Sequence, residues 1–390
     1  MLPLRISLGR QILKVKSFVS LTRRYYSPQN DFNLSDVAVQ AYFKKLLFEH
    51  EELYTKMKRT PEESKRFFEI KPIVNVLQHR ITLYENIESL QDLISKQKSK
   101  DDEDMKKMIK EEAQIYLKRM SDVDRELQSI LLEPQLTEGA VLVELKAGEG
   151  GHEAMLFARD VFEMYERYAK YKDWDIRIVS IEKSDIGGIL KALMFIEGVG
   201  APELMRIEAG AHRVQRIPTT ERGGLIQTST VLVSVFSKPS NMEADISKRD
   251  LAIEYKSSNK TATRNGVRVV HTPTGIVVEC SEKRSKTKNK DIAIEALKTL
   301  LLNKEQQELK IEGRPKMDAI KINDTIRTYN FPQDQVTEHR EGGGTIHRLQ
   351  AFMEGDYKLE QMQQNLLREY KRQAFLEEIS NFSEKPSCDK

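Results

Sequence analysis

The residues best suited to chemistry lie in the segment 206–230, where polar side chains, cations and turn-forming residues follow one another. Arg213 and Arg216 flank Gln215, and Pro218 fixes the direction of the chain. The other hydroxyl and amide side chains are those of Thr219, Thr220, Gln227, Thr228, Ser229 and Thr230. Such groups hydrogen-bond the edges of nucleobases. The segment therefore has the composition of a recognition loop, although clusters of Gly, Pro and Thr also mark ordinary polar turns between strands.

The elements that must hold this loop are predicted from the flanking apolar pattern. Val231, Val233 and Val235 recur at every second position after the loop, which predicts a strand. Ahead of it, strands are predicted at 175–180 and 206–208, with a helix over about 186–196 between them. This alternation of strands and helices is typical of an α/β-type central domain.

A glycine-rich turn precedes these elements. A strand-like alternation begins near Val141, the sequence AGEGG follows at 147–151, and an amphipathic helix is predicted from about His152. Such a turn can seat a phosphate at a helix N-terminus. Its spacing, however, fits neither the P-loop nor the dinucleotide motif, so nucleotide binding is not expected.

The order of residues in the loop is specific. The run HRVQRIPTTE at 212–221, followed by IQTS at 226–229, resembles the codon-recognition loop of class I peptide chain release factors of the bacterial and organellar type. The segments at 146–168, 271–290 and 325–340 also resemble signatures of that family, in the family's order. The resemblance covers most of the chain between about 139 and 355.

The resemblance implies which residues face the first base of a stop codon. The matching positions are Gly150 and Glu153 at the start of the helix, together with Thr220 of the tripeptide Pro218, Thr219 and Thr220. Uracil offers an imide N–H and two carbonyl oxygens. Backbone at a helix tip and a carboxylate can test such an edge.

The third base is implied to face Gln215 and Thr228. The family's usual residue at the position of Gln227 is His, which stacks between bases. An amide stacks less well than a ring, so codon affinity or discrimination is expected to be lower here.

A hairpin-rich segment follows a polar linker at 238–250. Strands are predicted at 251–255, 267–271 and 276–280, with a helix over about 291–309. Five cations cluster before and at the start of this helix, namely Lys283, Arg284, Lys286, Lys288 and Lys290. A charge run is ordinarily a solvated face, but this one can also follow a phosphate backbone. The resemblance favours contact with ribosomal RNA near the peptidyl transferase centre.

The same segment lacks the motif that the family uses for hydrolysis. In release factors, a loop between the first two strands carries Gly-Gly-Gln, which positions water against the peptidyl-tRNA ester. Here Ser257 and Ser258 run directly into NKTATRNGVRV, and the expected Gly-Ala-Gly-Gly-Gln is missing after Ser258. Gly-Gly-Gln occurs nowhere else in the chain. No catalytic residue is therefore predicted.

Other catalytic and metal-binding patterns are also missing from the sequence. His212, His271, His339 and His347 stand apart, and no HExxH, GxSxG or zinc spacing occurs. With two cysteines, Cys280 and Cys388, neither a disulfide framework nor a zinc site is expected. We predict no metal, no cofactor and structural roles for the isolated His and Cys side chains.

The N-terminus has the composition of a mitochondrial transit peptide. Residues 1–30 contain six Arg and Lys residues and no acidic residue. Cleavage is expected near 25–27, and a basic nucleic-acid arm is the alternative. The net charge of +3 does not by itself indicate nucleic acid. No apolar run reaches the length of a membrane span, which excludes an integral membrane protein at the level of sequence.

These patterns predict a multi-domain α+β fold with an N-terminal helical hairpin domain, a central α/β domain and an inserted small β-rich domain with a helix. The predicted ranges are 1–27 transit peptide, 28–137 helical domain, 138–244 central domain, 245–318 small domain, 319–358 return to the central domain, and 359–390 C-terminal helix and tail. The helical domain follows from apolar spacings of three and four along 33–132.

Three hypotheses about function remain open on the sequence. The first is a mitochondrial release factor that recognises UAA and UAG, with impaired peptidyl-tRNA hydrolysis. The second is a paralogue that binds the ribosome without hydrolysis, in rescue or regulation. The third is a splice or gene-model variant of an active factor. All three predict a monomer in the mitochondrial matrix whose partners are the mitochondrial ribosome, its RNA, the mRNA stop codon and P-site peptidyl-tRNA.

Overall fold

The computed structural model describes residues 34, 36–56, 58–96, 103–133, 136–218, 223–238, 247–257, 265–309 and 324–384. The chain divides into two compact units, one formed by 1–133 with 371–390 and the other by 134–370. The predicted transit peptide, most of the linker at 238–250 and the end of the C-terminal tail lie outside the described residues.

The first unit is helical, as predicted. Its helices are α1 (Val37–Thr55), α2 (Pro61–Lys96) and α3 (Glu103–Leu132), and the unit also takes in residues 371–384 of a C-terminal helix described below. A reciprocal cap starts α2, because Glu63 N donates to Thr60 Oγ1 over 3.2 Å and Thr60 N donates to Glu63 Oε2 over 3.0 Å. The core includes Leu46, Ile70 and Leu127, all at most 2% exposed.

The second unit contains two sheets. In chain order its strands are β1 (Glu138–Ala147), β2 (Asp175–Lys183), β3 (Ile189–Val199), β4 (Gly210–Arg216), β5 (Gln227–Ser237), β6 (Leu251–Ser257), β7 (Asn265–His271), β8 (Ile276–Cys280), β9 (Thr325–Asn330), β10 (Gln335–Glu338) and β11 (Gly344–His347). Its helices are α4 (His152–Tyr171), α5 (Ala201–Ile207), α6 (Lys286–Leu309) and α7 (Leu349–Met353). A last helix, α8 (Tyr357–Glu384), begins in this unit.

The larger sheet has the strand order β11-β10-β9-β4-β5-β1-β3-β2. Neighbouring strands are antiparallel except for β4 and β9, which are parallel. The chain leaves this sheet after β5, forms the small three-stranded sheet β6-β7-β8, and returns with β9. The multi-domain α+β prediction is thus confirmed, and the return strand β9 lies directly beside the strand that leads into the candidate loop.

Two element predictions in the central domain were wrong. The segment predicted as a helix over 186–196 is largely strand β3, in which Ala192, Leu193, Met194 and Phe195 are all buried. A strand covered on both faces loses the polar alternation that distinguishes it from a buried helix. The segment 206–208 is not a strand but the end of helix α5, which starts with Pro202 in its first turn, where proline is tolerated.

The small sheet and α6 enclose a core of their own that continues onto the large sheet. Val267, Val269 and Leu297 pack in one cluster with Leu142 and Phe195 of the large sheet. Helix α6 starts at Lys286, earlier than the predicted 291, because Ser285 caps it by accepting from Lys288 N over 3.5 Å. The last three cations of the basic run, Lys286, Lys288 and Lys290, therefore lie in helix α6.

Within the described ranges, none of the helices combines the length and apolar character needed to cross a membrane. The described side chains also contain no group of three or more His, Cys, Asp or Glu residues placed to hold a metal ion.

Candidate nucleic-acid interface

The turn before α4 is fastened to the start of β5. Gly148 N donates to Thr230 O over 2.9 Å, and Thr230 N donates to Glu149 O over 2.8 Å. Glu149 N also donates to Thr230 Oγ1 over 2.9 Å. Gly150 has φ +119°, and a Cβ at this position would collide with Ser229. A glycine is therefore required for the α4 tip to touch β5.

Arg216, the last residue of β4, ties the same helix to the loop. Its Nε donates to the Glu153 carboxylate, and its Nη1 donates to Asp160 Oδ2 over 2.7 Å. Its guanidinium carbon also lies 5.1 Å from the centre of the Phe331 ring. The end of β4 and the first three turns of α4 are thus held together by charge-assisted hydrogen bonds.

This arrangement changes the expectation for Glu153. Its side chain is 1% exposed, with Oε1 bonded to Arg216, so the carboxylate points away from solvent in this structure. Its Oε2 has no hydrogen-bond partner among the described residues. The expectation that this carboxylate itself faces a base is therefore not met here. Residues 148–152, which form the α4 tip, are exposed.

The predicted third-base residues lie side by side. Gln215 of β4 is the register partner of Thr228 of β5, so their side chains share one face of the sheet. Thr228 is exposed and Gln215 is half-buried. Gln227 pairs with Arg216 one position further along the strands. Pro218 is buried, whereas Thr219 and Thr220 lie outside the described residues.

The row of side chains continues across the return strands. Asn330 of β9 is the register partner of Gln215, Gln335 of β10 is the partner of Asn330, and His347 of β11 is the partner of Gln335. Five neighbouring strands therefore present a polar row at one position of the sheet. Asn330 Nδ2 donates to Gln215 Oε1 over 3.2 Å, which joins the return segment to the candidate site.

A buried ionic cluster lies on the face of the sheet that carries Tyr329 of β9. Arg327 donates to Glu208 through Nη1 over 2.7 Å and Nη2 over 3.0 Å, and to Glu338 Oε2 through Nε over 3.0 Å. Arg340 Nε donates to Glu338 Oε1 over 2.7 Å. Arg327, Glu208 and Glu338 are at most 3% exposed. Two cations and two carboxylates balance each other, which is the condition for keeping such charges in a core.

The charges of this cluster move neighbouring pKa values. Burial by itself would raise the pKa of Glu208, but Arg327 and hydrogen bonds to Arg327 and Gln363 lower it to about 2. Burial, aided by Arg327, lowers the pKa of His212 to about 4. The His212 Nε2–H donates to Glu208 O over 3.0 Å, and Nδ1 accepts from Tyr329 O–H over 3.2 Å. His212 is therefore a neutral structural residue, in line with the expectation from its isolation in the sequence.

The basic run surrounds the start of α6. Lys283, Arg284, Lys286 and Lys288 are exposed, and Lys290 is half-buried. Buried Asn289 shapes the preceding turn, because Lys283 N donates to its Oδ1 over 2.8 Å and its Nδ2 donates to Lys283 O over 2.7 Å. The cations are thus displayed on a turn with a fixed backbone.

The end of the small sheet carries no catalytic group that can be identified among the described residues. Ser257 of β6 pairs with Asn265 of β7, and the connection at 258–264 lies outside the described residues. Cys280 is buried at the end of β8, and burial raises the pKa of its thiol, so it is a poor nucleophile.

Sequence reasoning did not assign three residues that organise the site. Asp160 had a local signal, because it lies two helical turns after Glu153 and hence on the same face of α4. Asn330 and Arg327 had none, since their partners Gln215 and Glu208 are 115 and 119 positions away.

Comparison with known proteins agrees with this architecture. Residues 41–233 match the PCRF domain family and residues 240–340 match the RF-1 domain family. The chain is 37% identical over 298 residues to peptide chain release factor 1 of Caldicellulosiruptor saccharolyticus, covering 74% of this chain and 83% of that protein. It is 36% identical to peptide chain release factor 1 of Nitratiruptor sp., covering 84% of this chain and 93% of that protein.

A solved structure shares the fold. RF2 of Thermus thermophilus superposes with a TM-score of 0.60 at 23% identity, covering 93% of this chain and 99% of that one. The family resemblance expected from the loop is confirmed by the two domain matches and by relatives covered over most of their length. The chain belongs to the class I peptide chain release factors, a family of translation termination.

Proposed function

We propose that this protein binds the ribosomal decoding site and recognises the stop codons UAA and UAG. The observation that carries the proposal is the convergence of the α4 tip, β4 and β5. Thr230 is bonded to the α4 turn, Arg216 to α4 itself, and Gln215 lies opposite Thr228. Residues that are up to 81 positions apart in sequence therefore form one surface.

The first base is assigned to the backbone at the α4 tip. The N–H groups at the start of a helix have no partner within the helix and carry a partial positive charge. They suit the carbonyl oxygens of uracil, and carbonyl groups of the turn suit its imide N–H. Glu153 contributes through its position in the first turn while its carboxylate holds Arg216. Thr220 is retained as a predicted partner of this base.

The third base is assigned to Gln215 and Thr228, whose amide and hydroxyl groups both donate and accept hydrogen bonds. Gln227 stands where the family usually has His. The loss of ring stacking, worth roughly 1–3 kcal/mol per base, predicts weaker codon binding than with His at this position.

Peptide release is proposed to be impaired. The sequence lacks Gly-Gly-Gln, whose backbone and glutamine position water in the family. The protein would then occupy the ribosome beside P-site peptidyl-tRNA without rapid hydrolysis. A non-hydrolytic paralogue and a splice or gene-model variant are both compatible with this loss. Sequencing the transcripts across codons 256–264 distinguishes these two alternatives. If the chain is a splice or gene-model variant, a transcript that encodes the missing residues should also be found.

The site of action is proposed to be the mitochondrial matrix. Its support is the basic N-terminus without acidic residues. A reporter fused to residues 1–35 should enter mitochondria, and a cytosolic reporter would refute this part of the proposal.

Binding to ribosomes with defined codons tests the central claim. The test uses purified mitochondrial ribosomes that carry UAA, UAG or the sense codon CAA in the decoding site. The protein should bind the ribosomes with UAA or UAG more tightly than those with CAA. Equal affinity for the three complexes would show that the polar segment is an ordinary loop.

A further inference from the structure

Asn330 ends β9 beside the candidate third-base residue. The parallel pairing of β4 with β9 places it next to Gln215 on the same face of the sheet. Two hydrogen bonds join the end of β9 and the next residue to Gln215, one from Asn330 Nδ2 to Gln215 Oε1 over 3.2 Å and one from Phe331 N to Gln215 O over 3.0 Å. The side chain and the backbone of Gln215 are therefore both tied to the return segment.

The orientation of the Asn330 amide is set by the backbone. The N–H of Gln333 donates to Asn330 Oδ1 over 3.1 Å. Because a backbone N–H can only donate, the atom that it meets must be the amide oxygen rather than the nitrogen. Nδ2 then lies on the other side of the amide, where it donates to Gln215 and, over 3.1 Å, to Gln333 Oε1.

This orientation determines what Gln215 offers to a ligand. Its Oε1 is directed at Asn330, so its Nε2 is directed away from that residue. The hydrogen bonds of the described residues leave Nε2 without a partner. On the same face the neighbouring strand presents Thr228, whose hydroxyl is both donor and acceptor. The pair thus presents one fixed donor and one adaptable group.

We propose that Asn330 is a positioning residue that holds Gln215 as a hydrogen-bond donor and thereby sets the preference between adenine and guanine at the third codon position. The inference rests on the proposed function of Gln215. Guanine carries an acceptor, O6, where adenine carries a donor, N6–H₂. A fixed amide donor matches guanine at this point, whereas an amide oxygen would match adenine.

The substitution Asn330→Asp reverses the orientation without changing the shape of the side chain. The carboxylate still accepts from Gln333 N–H, but it replaces the Nδ2 donor by an acceptor. Gln215 must then turn Nε2 toward position 330 and present Oε1 to the codon. The ratio of UAA affinity to UAG affinity should rise by about five- to tenfold, within the range of one base-edge contact.

Two further variants separate this effect from charge and folding. Gln335→Glu adds the same charge one strand further along the polar row, where Gln335 Nε2 bonds Gln333 over 2.7 Å rather than Gln215. It should lower both affinities and leave their ratio within about twofold. Asn330→Ala frees the amide of Gln215 to turn, so it should shift the ratio in the same direction as Asn330→Asp by a smaller factor.

The measurement is the dissociation constant of each variant on ribosomes carrying UAA, UAG or CAA. Suppose that the unsubstituted protein discriminates UAA from CAA, but that Asn330→Asp and Asn330→Ala both keep its ratio of UAA affinity to UAG affinity. The positioning role of Asn330 is then wrong, while codon recognition stands. If the unsubstituted protein binds all three codons equally, codon recognition itself fails, and the inference fails with it. A ratio that changes equally in Gln335→Glu would assign the effect to charge and would also overturn the inference.

Discussion

The codon-recognition edge, as we name the proposed site formed by the α4 tip, β4, β5 and β9, and the end of the small sheet differ in how their chemistry is distributed. At the first, the α4 tip, β4, β5 and β9 each supply one or two groups, and hydrogen bonds between elements hold them in place. At the second, the family concentrates its chemistry in a single loop between two strands. Here only seven residues, 258–264, connect β6 to β7, and Gly-Gly-Gln is not among them.

Under the proposed function, this difference explains how hydrolysis can be lost while codon recognition is retained. The recognition surface depends on the register of a sheet that also forms the core, so its residues are protected by the packing of Tyr329, Phe157 and Val214, none of which is exposed. In the small domain, Val267 and Val269 of β7 pack in a core of their own although Gly-Gly-Gln is missing from the sequence between β6 and β7. The packing of this domain therefore does not require the Gly-Gly-Gln motif.

Restoring the loop is the strongest test of this difference. Insertion of Gly-Ala-Gly-Gly-Gln after Ser258 should increase the rate of peptide release from ribosomes carrying a stop codon by at least about 10²–10³-fold, the effect of one preorganised transition-state donor. The glycines permit backbone angles that other residues resist. Codon affinity should change little, since β6 and β7 pair up to Ser257 and Asn265 without the insertion.

The matched control is an insertion of the same length, Gly-Ala-Gly-Gly-Ala, which restores reach without the glutamine side chain. Release should then remain well below the rate obtained with Gly-Ala-Gly-Gly-Gln. If the unmodified protein already releases peptide as fast as the Gly-Ala-Gly-Gly-Gln variant, another group positions the water, and the hairpin end has kept its function.

The same difference explains what could be predicted from sequence. The proposed recognition residues lie in contiguous runs with a specific order, so Gln215, Thr228 and Gly150 could be predicted by resemblance, and the missing loop was inferred from the absence of a short motif. Helix α4 and strands β7 and β8 follow from strong periodicity. The strand β3 did not, because burial on both faces removed its alternation.

Contacts over long sequence separations were beyond sequence reasoning. The inward turn of Glu153 depends on Arg216, 63 positions away, and the cluster around Arg327 joins the end of helix α5 to strands β9 and β10 beyond the inserted domain. A charged residue in a strand pattern is ordinarily assigned to a solvated face. Only the fold shows that Glu208, Arg327 and Glu338 neutralise one another in the core.

Acid should affect the two regions differently. The folded-state pKa of His212 is about 4, against an ordinary value of 6.5, so the unfolded state binds more protons between these values. The free energy of unfolding should fall by roughly 3 kcal/mol as the pH is lowered from 6.5 to 4. Glu208, with a pKa of about 2, adds a further loss as the pH falls below 4.5. In the described part of the small domain the buried polar side chains are Asn289 and Thr299, which do not titrate.

Urea unfolding at pH 7, 5.5 and 4.5 measures the first effect, and hydrogen exchange locates it. Amides of β4 and β9 should lose protection before those of β7. His212→Gln keeps a donor to Glu208 O and an acceptor for Tyr329 O–H, so it should flatten the dependence between pH 6.5 and 4. An unchanged dependence in this variant would mean that other groups carry the acid sensitivity of the central sheet.

The smallest expected effect concerns the basic turn, the part of the small domain that we propose to contact ribosomal RNA. Lys286 and Lys288 are exposed at the start of α6 on a backbone fixed by Asn289. If each neutralises one phosphate, replacing both by Ala should reduce the slope of log affinity against log salt by about 1.4–1.8, since each contact contributes roughly 0.7–0.9. Between 50 and 200 mM salt the affinity of the variant should then change about tenfold less than that of the original protein.

The matched control is the double variant Lys298→Ala with Lys304→Ala, which removes the same charge further along α6 and should leave the slope nearly unchanged. Equal slopes for the two double variants would make the run a solvated face, and ribosome binding would then depend on the codon-recognition edge rather than on both ends of the molecule.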